Sequence, residues 1–152
     1  MIQRVQSVWL FLASLTLFLL LLLPVVSNQI NGSEFWIMVT GLYQKTNETA
    51  IKVESFRPLY ISAAAVGLIC FISIFAFRNR TAQKRIIIAA MVLIISLSYW
   101  IFNYAQKIPG GIASASYGVG AFLPVLAVLF CALALRGIRK DEQLLKSADR
   151  LR

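Results

Sequence analysis

The side chains that could do chemistry in this sequence are few. Its 152 residues contain no histidine, so the usual general base and the common haem and zinc ligands are missing. The two cysteines, Cys70 and Cys131, fall inside apolar runs and form no C-x-x-C pair, so we interpret them as buried structural thiols. Those runs also contain Ser and Thr hydroxyls and Asn103, which commonly bond back to helix carbonyls. The sequence therefore predicts no catalytic, cofactor-binding or metal site.

Four apolar runs account for most of the chain, which is 59% hydrophobic and 14% charged. Each run holds about 20 residues without an acid or a base, about the number that crosses ~30 Å of hydrocarbon as a helix. They predict helices at about residues 5–26, 59–77, 86–104 and 117–135. The predicted fold class is all-α membrane: a single domain, residues 1–152, built as a four-transmembrane-helix bundle.

The segment 27–57 between the first two runs has a different pattern. Residues 35–40 are rich in aromatic and β-branched side chains, and in the later stretch Ile51, Val53 and Ser55 alternate with Lys52, Glu54 and Phe56, a period of two. This pattern predicts a small extracytoplasmic β-hairpin over the outer mouth of the bundle.

The net charge of +9 has a positional explanation. Eleven of the 15 bases would lie on the side that holds both termini, and four on the other: Lys45, Lys52, Arg57 and Lys107. Because the side richer in Lys and Arg stays in the cytoplasm, both termini are predicted to be cytoplasmic. The bases cluster at the ends of apolar runs, which favours anchoring at anionic headgroups and argues against nucleic-acid binding.

Small residues mark candidate helix contacts. Ala63 and Gly67 are spaced four apart, and Gly118, Gly120 and Ala121 stand at the start of the fourth run. Small residues allow helices in a membrane to approach closely. These five positions are therefore predicted to be packing sites.

The tail, residues 136–152, is predicted to form a cytoplasmic amphipathic helix. On a helical projection Arg139, Lys146 and Arg150 form a basic stripe opposite the apolar side chains. The stripe is a candidate contact for a partner protein or for anionic lipid headgroups.

Asp141 falls within the apolar arc of that tail, beside Leu144, Leu145 and Ala148. A carboxylate there needs compensation, since an unpaired buried charge is costly. We therefore predict that the tail folds back under the bundle and packs these apolar residues on helix ends. Asp141 would then pair with one base of a nearby set: Arg4, Arg78, Arg80, Lys84 or Arg85.

Three stretches carry a family resemblance: residues 1–7 (MIQRVQS), residues 118–124 (GVGAFLP), and the close from Lys140-Asp141-Glu142 to residues 147–152 (SADRLR). Together they resemble a family of small four-helix membrane proteins of Bacteroidota described as a domain of unknown function. The resemblance covers essentially the whole chain. It implies a Gram-negative inner membrane and no assigned activity, and it transfers no catalytic residue.

These observations favour a non-enzymatic inner-membrane protein, an accessory or scaffold subunit of a larger complex. Its expected partners are the bilayer with anionic headgroups and other inner-membrane proteins, with no nucleic acid and no cofactor. The alternative is a small oligomeric transporter or channel lined by hydroxyls and Asn103. A second alternative is an intramembrane enzyme such as a thiol oxidoreductase, although Cys70 and Cys131 would differ in depth by ~5 Å at ~1.5 Å per residue.

Overall fold

The computed structural model describes residues 3–30, 32–46 and 49–149. Within these residues the chain forms four α-helices and a five-stranded antiparallel sheet. The helices and strands follow one another in this order: α1 (Gln3–Leu20), β1 (Val26–Ile30), β2 (Ser33–Met38), β3 (Gly41–Thr46), β4 (Thr49–Ser55), α2 (Arg57–Ser73), α3 (Arg80–Ala105), β5 (Ser116–Tyr117) and α4 (Leu123–Asp149). Short 3-10 turns at Phe75–Arg78, Ile112–Ser114 and Val119–Ala121 join some of them.

The predicted all-α bundle of four transmembrane helices is wrong. Among the described residues, two helical stretches are long and apolar enough to cross a membrane, Arg80–Ala105 and Val119–Leu144. The helices α1 and α2 are apolar but shorter, with 18 and 17 residues. Both fall short of the about 20 residues that cross a bilayer.

Local chemistry shortens α1 and α2. The first apolar run continues to Val26, but α1 ends at Leu20, before Pro24, which fits poorly inside a helix. The β-branched pair Val25 and Val26 then leads into β1 instead. The helix α2 ends at Ser73, and the last apolar residues of the predicted span form the 3-10 turn.

The other two helices are longer than predicted. The Asn79 side chain caps α3, where its Oδ1 accepts from the Ala82 amide at 3.1 Å, so the helix begins at Arg80. The helix α4 begins at Leu123 with Pro124 in its first turn, where a missing amide hydrogen costs little. It continues to Asp149, so the predicted separate tail is the last part of α4.

The predicted hairpin is part of a larger sheet with the strand order β4-β3-β2-β1-β5. The strand β3 lies between the two predicted strands, while β1 adds the residues after α1 and pairs with β5. A tight turn at Gly41 (φ 156°) joins β2 to β3, and a Cβ there would meet the Glu54 carbonyl. Aromatic rings of Phe56 and Tyr104, with centroids 4.1 Å apart, attach the sheet to α3.

The helices form one core by packing α1 against α2 and α4, and α3 against the same two helices. The fully or almost fully buried positions between them include many small side chains: Ala13, Ala63, Ala90, Ala127 and Ala134. Small side chains let the helix backbones approach closely. The chain alternates direction, so the start of α1 and α3 and the end of α2 and α4 meet at one end, called here the basic end. The sheet lies at the other.

At the sheet end, the backbone of Leu23 and Pro24 lies so close to Gly120 that it leaves no room for a side chain there. A Cβ there would lie 2.7 Å from the Pro24 carbonyl oxygen and 2.9 Å from that of Leu23. Gly120→Ala is therefore expected to lower the free energy of unfolding by about 1–3 kcal/mol. The measurement is chemical or thermal unfolding of the purified chain in detergent, followed by circular dichroism.

Gly67→Ala is the matched control. Its new methyl would first meet the end of the Phe18 ring at 3.4 Å, a contact that a side chain can relieve. Helix propensity favours Ala over Gly by roughly 1 kcal/mol. This gain offsets the cost of moving the Phe18 ring, so Gly67→Ala should be close to neutral. Equal losses of stability in the two variants would contradict the close backbone contact at Gly120.

Candidate functional site

A buried polar contact lies at the basic end, between α1 and α4. The Gln6 amide Nε2 donates to Asp141 Oδ2 at 2.6 Å, and each residue is only 7% exposed. Gly137, one turn before Asp141, makes the space, since a Cβ there would lie 3.0 Å from Gln6 Cγ. The carboxylate that the sequence places among apolar residues is thus met by an amide donor of another helix.

The predicted base partner of Asp141 is not found among the described side chains. The side chains of Arg4 and Arg78 lie outside the described part of the structure. Lys84 instead binds the next carboxylate, with its Nζ 2.7 Å from Glu142 Oε2. Consecutive residues of a helix diverge by about 100°, so Asp141 faces α1 while Glu142 faces α3.

A second buried contact joins α2 and α3 at the same end. The Gln83 amide Nε2 donates to the Ser73 carbonyl at 3.0 Å, and Gln83 is 4% exposed. It occupies a carbonyl at the end of α2 that has no partner within its helix. These contacts together fix the four helix ends relative to one another.

Beside this cluster a groove of about 670 Å³ runs between α3 and α4, called here the basic groove. Its lining combines apolar residues with three bases and an amide: Met91, Ala132, Leu135, Arg136, Arg139, Lys140 and Gln143. Of the predicted basic stripe, the structure therefore places Arg139 in this groove. The Lys146 side chain and all of Arg150 lie outside the described residues.

The predicted apolar docking face is described only at Leu144. That side chain is 51% exposed, so it does not pack onto the helix ends as predicted. The continuous α4 explains the difference, because a helix that does not turn back cannot place Leu144 beneath the bundle. The side chains of Leu145 and Ala148 lie outside the described part.

The predicted packing residues of α2 face α1. Ala63 is fully buried, and Gly67 lies against Phe18, while the Ser14 hydroxyl donates to the Gly67 carbonyl at 3.2 Å. Gly67 thus accommodates both a ring and a hydrogen bond from the neighbouring helix.

The predicted packing residues before α4 meet an extended segment rather than a helix. The Gly118 amide donates to the Val25 carbonyl at 2.9 Å, and the Gly120 amide to the Pro24 carbonyl at 3.0 Å. Ala121 is half-buried and packs on the core. Backbone hydrogen bonds, and not helix packing alone, therefore explain the small residues.

Six polar side chains of the apolar helices donate to backbone carbonyls. Ser14 donates across to α2, as described, and the others donate within their own helices. Those others are Thr16, Ser62, Ser73, Ser98 and Asn103. Donors used in this way have their hydrogen bonds satisfied by the backbone and do not form a polar path.

Cys70 of α2 and Cys131 of α4 are buried, and their side chains lie close enough to interact with each other. The estimated difference in depth between the two residues is thus offset by how the helices pack. Both remain free thiols. In the described part of the chain, no group of three or more Cys, Asp or Glu is arranged to hold a metal.

The sheet end has an exposed edge. The outer strand β4 is exposed along its length, with Ile51 61% and Val53 55% exposed. Its Glu54 carboxylate binds Lys107 at 3.0 Å, and the Lys107 ammonium lies 4.9 Å from the centroid of the Tyr104 ring. The sheet is therefore tied to the end of α3, while its outer edge stays open.

These features define a small protein whose apolar helices carry an antiparallel sheet at one end and a polar, basic cluster at the other. The chain belongs to the family described as a domain of unknown function, DUF4293, which matches residues 2–151. The family resemblance in the sequence is thereby confirmed. A search of curated proteins gives no match to the chain.

Asp141→Ala is expected to lower the free energy of unfolding by about 1–3 kcal/mol, because it leaves the buried Gln6 amide without an acceptor. Asp141→Asn keeps an acceptor and should cost less. Denaturant unfolding of the purified variants measures both.

Glu54→Ala is the matched control, because it removes a carboxylate whose pair with Lys107 is about half exposed. Exposed pairs contribute roughly 0.2–1 kcal/mol. A loss at Asp141 no larger than the loss at Glu54 would show that the buried contact does not hold α1 to α4.

Proposed function

We propose that this chain is a non-enzymatic integral protein of the bacterial inner membrane, and an accessory or scaffold subunit of a larger membrane complex. The observation that carries the proposal is the apolar outer surface of the long helices. Their most apolar windows have mean hydropathies of 2.2 and 2.3, yet only 28% and 39% of those windows is buried inside the protein. A core helix of a soluble protein would be mostly buried, so this surface favours lipid or protein as its surroundings.

The apolar packing between the helices supports a scaffold over a transporter or channel. Transport pathways usually carry ionisable groups within the membrane. Here the hydroxyls of Ser14, Thr16, Ser62, Ser73 and Ser98 and the amide of Asn103 are bonded to backbone carbonyls. The buried positions between the helices are filled mainly by Ala and other apolar side chains. An intramembrane thiol enzyme has equally little support, because Cys70 and Cys131 are buried away from the surface.

The charge distribution supports a cytoplasmic basic end and an external sheet. The described bases of α3 and α4 near the basic end are Arg80, Lys84, Arg85, Arg136, Arg139 and Lys140. The sheet end carries Lys45, Lys52, Arg57 and Lys107. Since the side with more Lys and Arg stays inside, both termini are proposed to be cytoplasmic.

The open edge of β4 supports binding of another inner-membrane protein. An edge strand has backbone donors and acceptors that point away from its sheet, and a second chain can pair with them. The exposed Ile51 and Val53 add apolar surface at that edge.

The location is tested by fractionation and by reporter fusions. The full chain should stay in the membrane pellet after an alkaline wash. A reporter active only outside the cytoplasm should be silent when fused after Arg152 and active when inserted after Thr46. Release by the wash would reject membrane integration, and the opposite reporter pattern would reject the orientation alone.

The scaffold role is tested by purification of the full chain in mild detergent, followed by mass spectrometry. We expect a protein present in stoichiometric amount, and its recovery should fall in the variant Ile51→Asp/Val53→Asp. The control is Tyr117→Asp, an exposed side chain on the opposite edge strand, which should retain the partner. A homo-oligomer without a second protein would favour the channel alternative.

A further inference from the structure

Three bases line the basic groove without an ion pair among the described residues. Within those residues the ion pairs join Lys84 to Glu142 and Lys107 to Glu54, and none involves Arg136, Arg139 or Lys140. The nearest carboxylates along α4 are already engaged, Asp141 by Gln6 and Glu142 by Lys84. The groove therefore holds positive charge that the described side chains leave uncompensated.

The spacing of these bases concentrates the charge. Arg136 lies three residues before Arg139 and four before Lys140, so the three side chains share one face of α4. Like charges at this spacing repel one another. An anion bound in the groove would offset that repulsion. One guanidinium group can bind two phosphate oxygens at once.

The chemical character of the groove lining also changes along its length. Ala132 lies one turn before Arg136 and Leu135 one turn before Arg139, on the side toward the sheet end, and Met91 of α3 also lines this part. Gln143 lies beyond the bases, toward the end of the helix. The lining thus changes from apolar to cationic to neutral polar along one line, and its volume of about 670 Å³ suits a small-molecule ligand.

We propose that the basic groove binds one anionic phospholipid, with the headgroup phosphate on Arg136, Arg139 and Lys140 and an acyl chain along Met91 and Ala132. An amphiphile of this kind matches both parts of the lining, whereas a free phosphate uses only the bases. The Gln143 amide is placed to meet headgroup hydroxyls. This inference rests on the proposed function, since it requires α3 and α4 to lie in a bilayer with the basic end at the headgroups.

The test uses the full chain in non-ionic detergent, titrated with phosphatidylglycerol and followed by native mass spectrometry. We expect one bound lipid, with weaker binding of zwitterionic phosphatidylcholine. Arg136→Gln/Arg139→Gln should weaken the binding of phosphatidylglycerol about 30-fold, roughly fivefold for each base near an anionic headgroup. Ala132→Trp, at an exposed position, should also weaken it by filling the apolar floor while leaving every charge in place.

The control variant is Lys45→Gln/Lys52→Gln, which removes the same charge from the sheet and should bind the lipid as the wild type does. Inorganic phosphate should not displace the lipid. Unchanged binding in the Arg136→Gln/Arg139→Gln variant would overturn the inference. Displacement by phosphate, together with full binding in Ala132→Trp, would replace the lipid site with a phosphate site.

The outcome is separable from that of the proposed function. A chain that stays in alkaline-washed membranes but binds phosphatidylglycerol equally well in both double variants rejects the groove alone. A wild-type chain that the wash releases rejects membrane integration, and the lipid site with it.

Discussion

The architecture depends on one backbone contact, where Pro24 and Val25 accept hydrogen bonds from Gly120 and Gly118. Pro24 follows the end of α1, and the next residues begin the sheet. The glycines precede α4, so the same contact sets where both helices meet the strands. Because a Cβ on either glycine would overlap the Pro24 carbonyl region, the contact requires glycine. The helices and the sheet are thereby held as one unit rather than as a bundle with a loose external hairpin.

The sequence locates the four helices approximately, but it predicts a hairpin where the structure has a five-stranded sheet. The difference has a physical reason. Val25 and Val26 extend the first apolar run without a charge, so hydropathy alone assigns them to a helix. What stops α1 is Pro24 and the pairing of β1 with β5, about 90 residues away, and no local pattern encodes such a long-range pairing. The alternation at Ile51 and Val53 does identify β4, but both side chains are exposed, so it marks an edge strand and not a buried face.

At the basic end, the sequence identifies the residue that needs a partner but not the partner. Asp141 stands among apolar residues, and its compensation by another element follows from the cost of a buried charge. Reasoning from charge alone favours a base, while the structure supplies the neutral amide of Gln6. Gly137 is the available signal, since a glycine one turn from a buried carboxylate indicates that a side chain of another helix fits there.

The choice of an amide has a consequence for the rest of that end. Among the described side chains, Gln6 donates to Asp141 and Lys84 pairs with Glu142, while Arg136, Arg139 and Lys140 form no ion pair with another helix. The side chains that join the helices, such as Asp141 and Glu142, are thus different from the bases that line the groove on the same turns of α4. A basic end held together by its own arginines would present little charge outward. Here the polar cluster holds the helices, and the described side chains leave the charge of the basic groove open to the anionic headgroup that we propose.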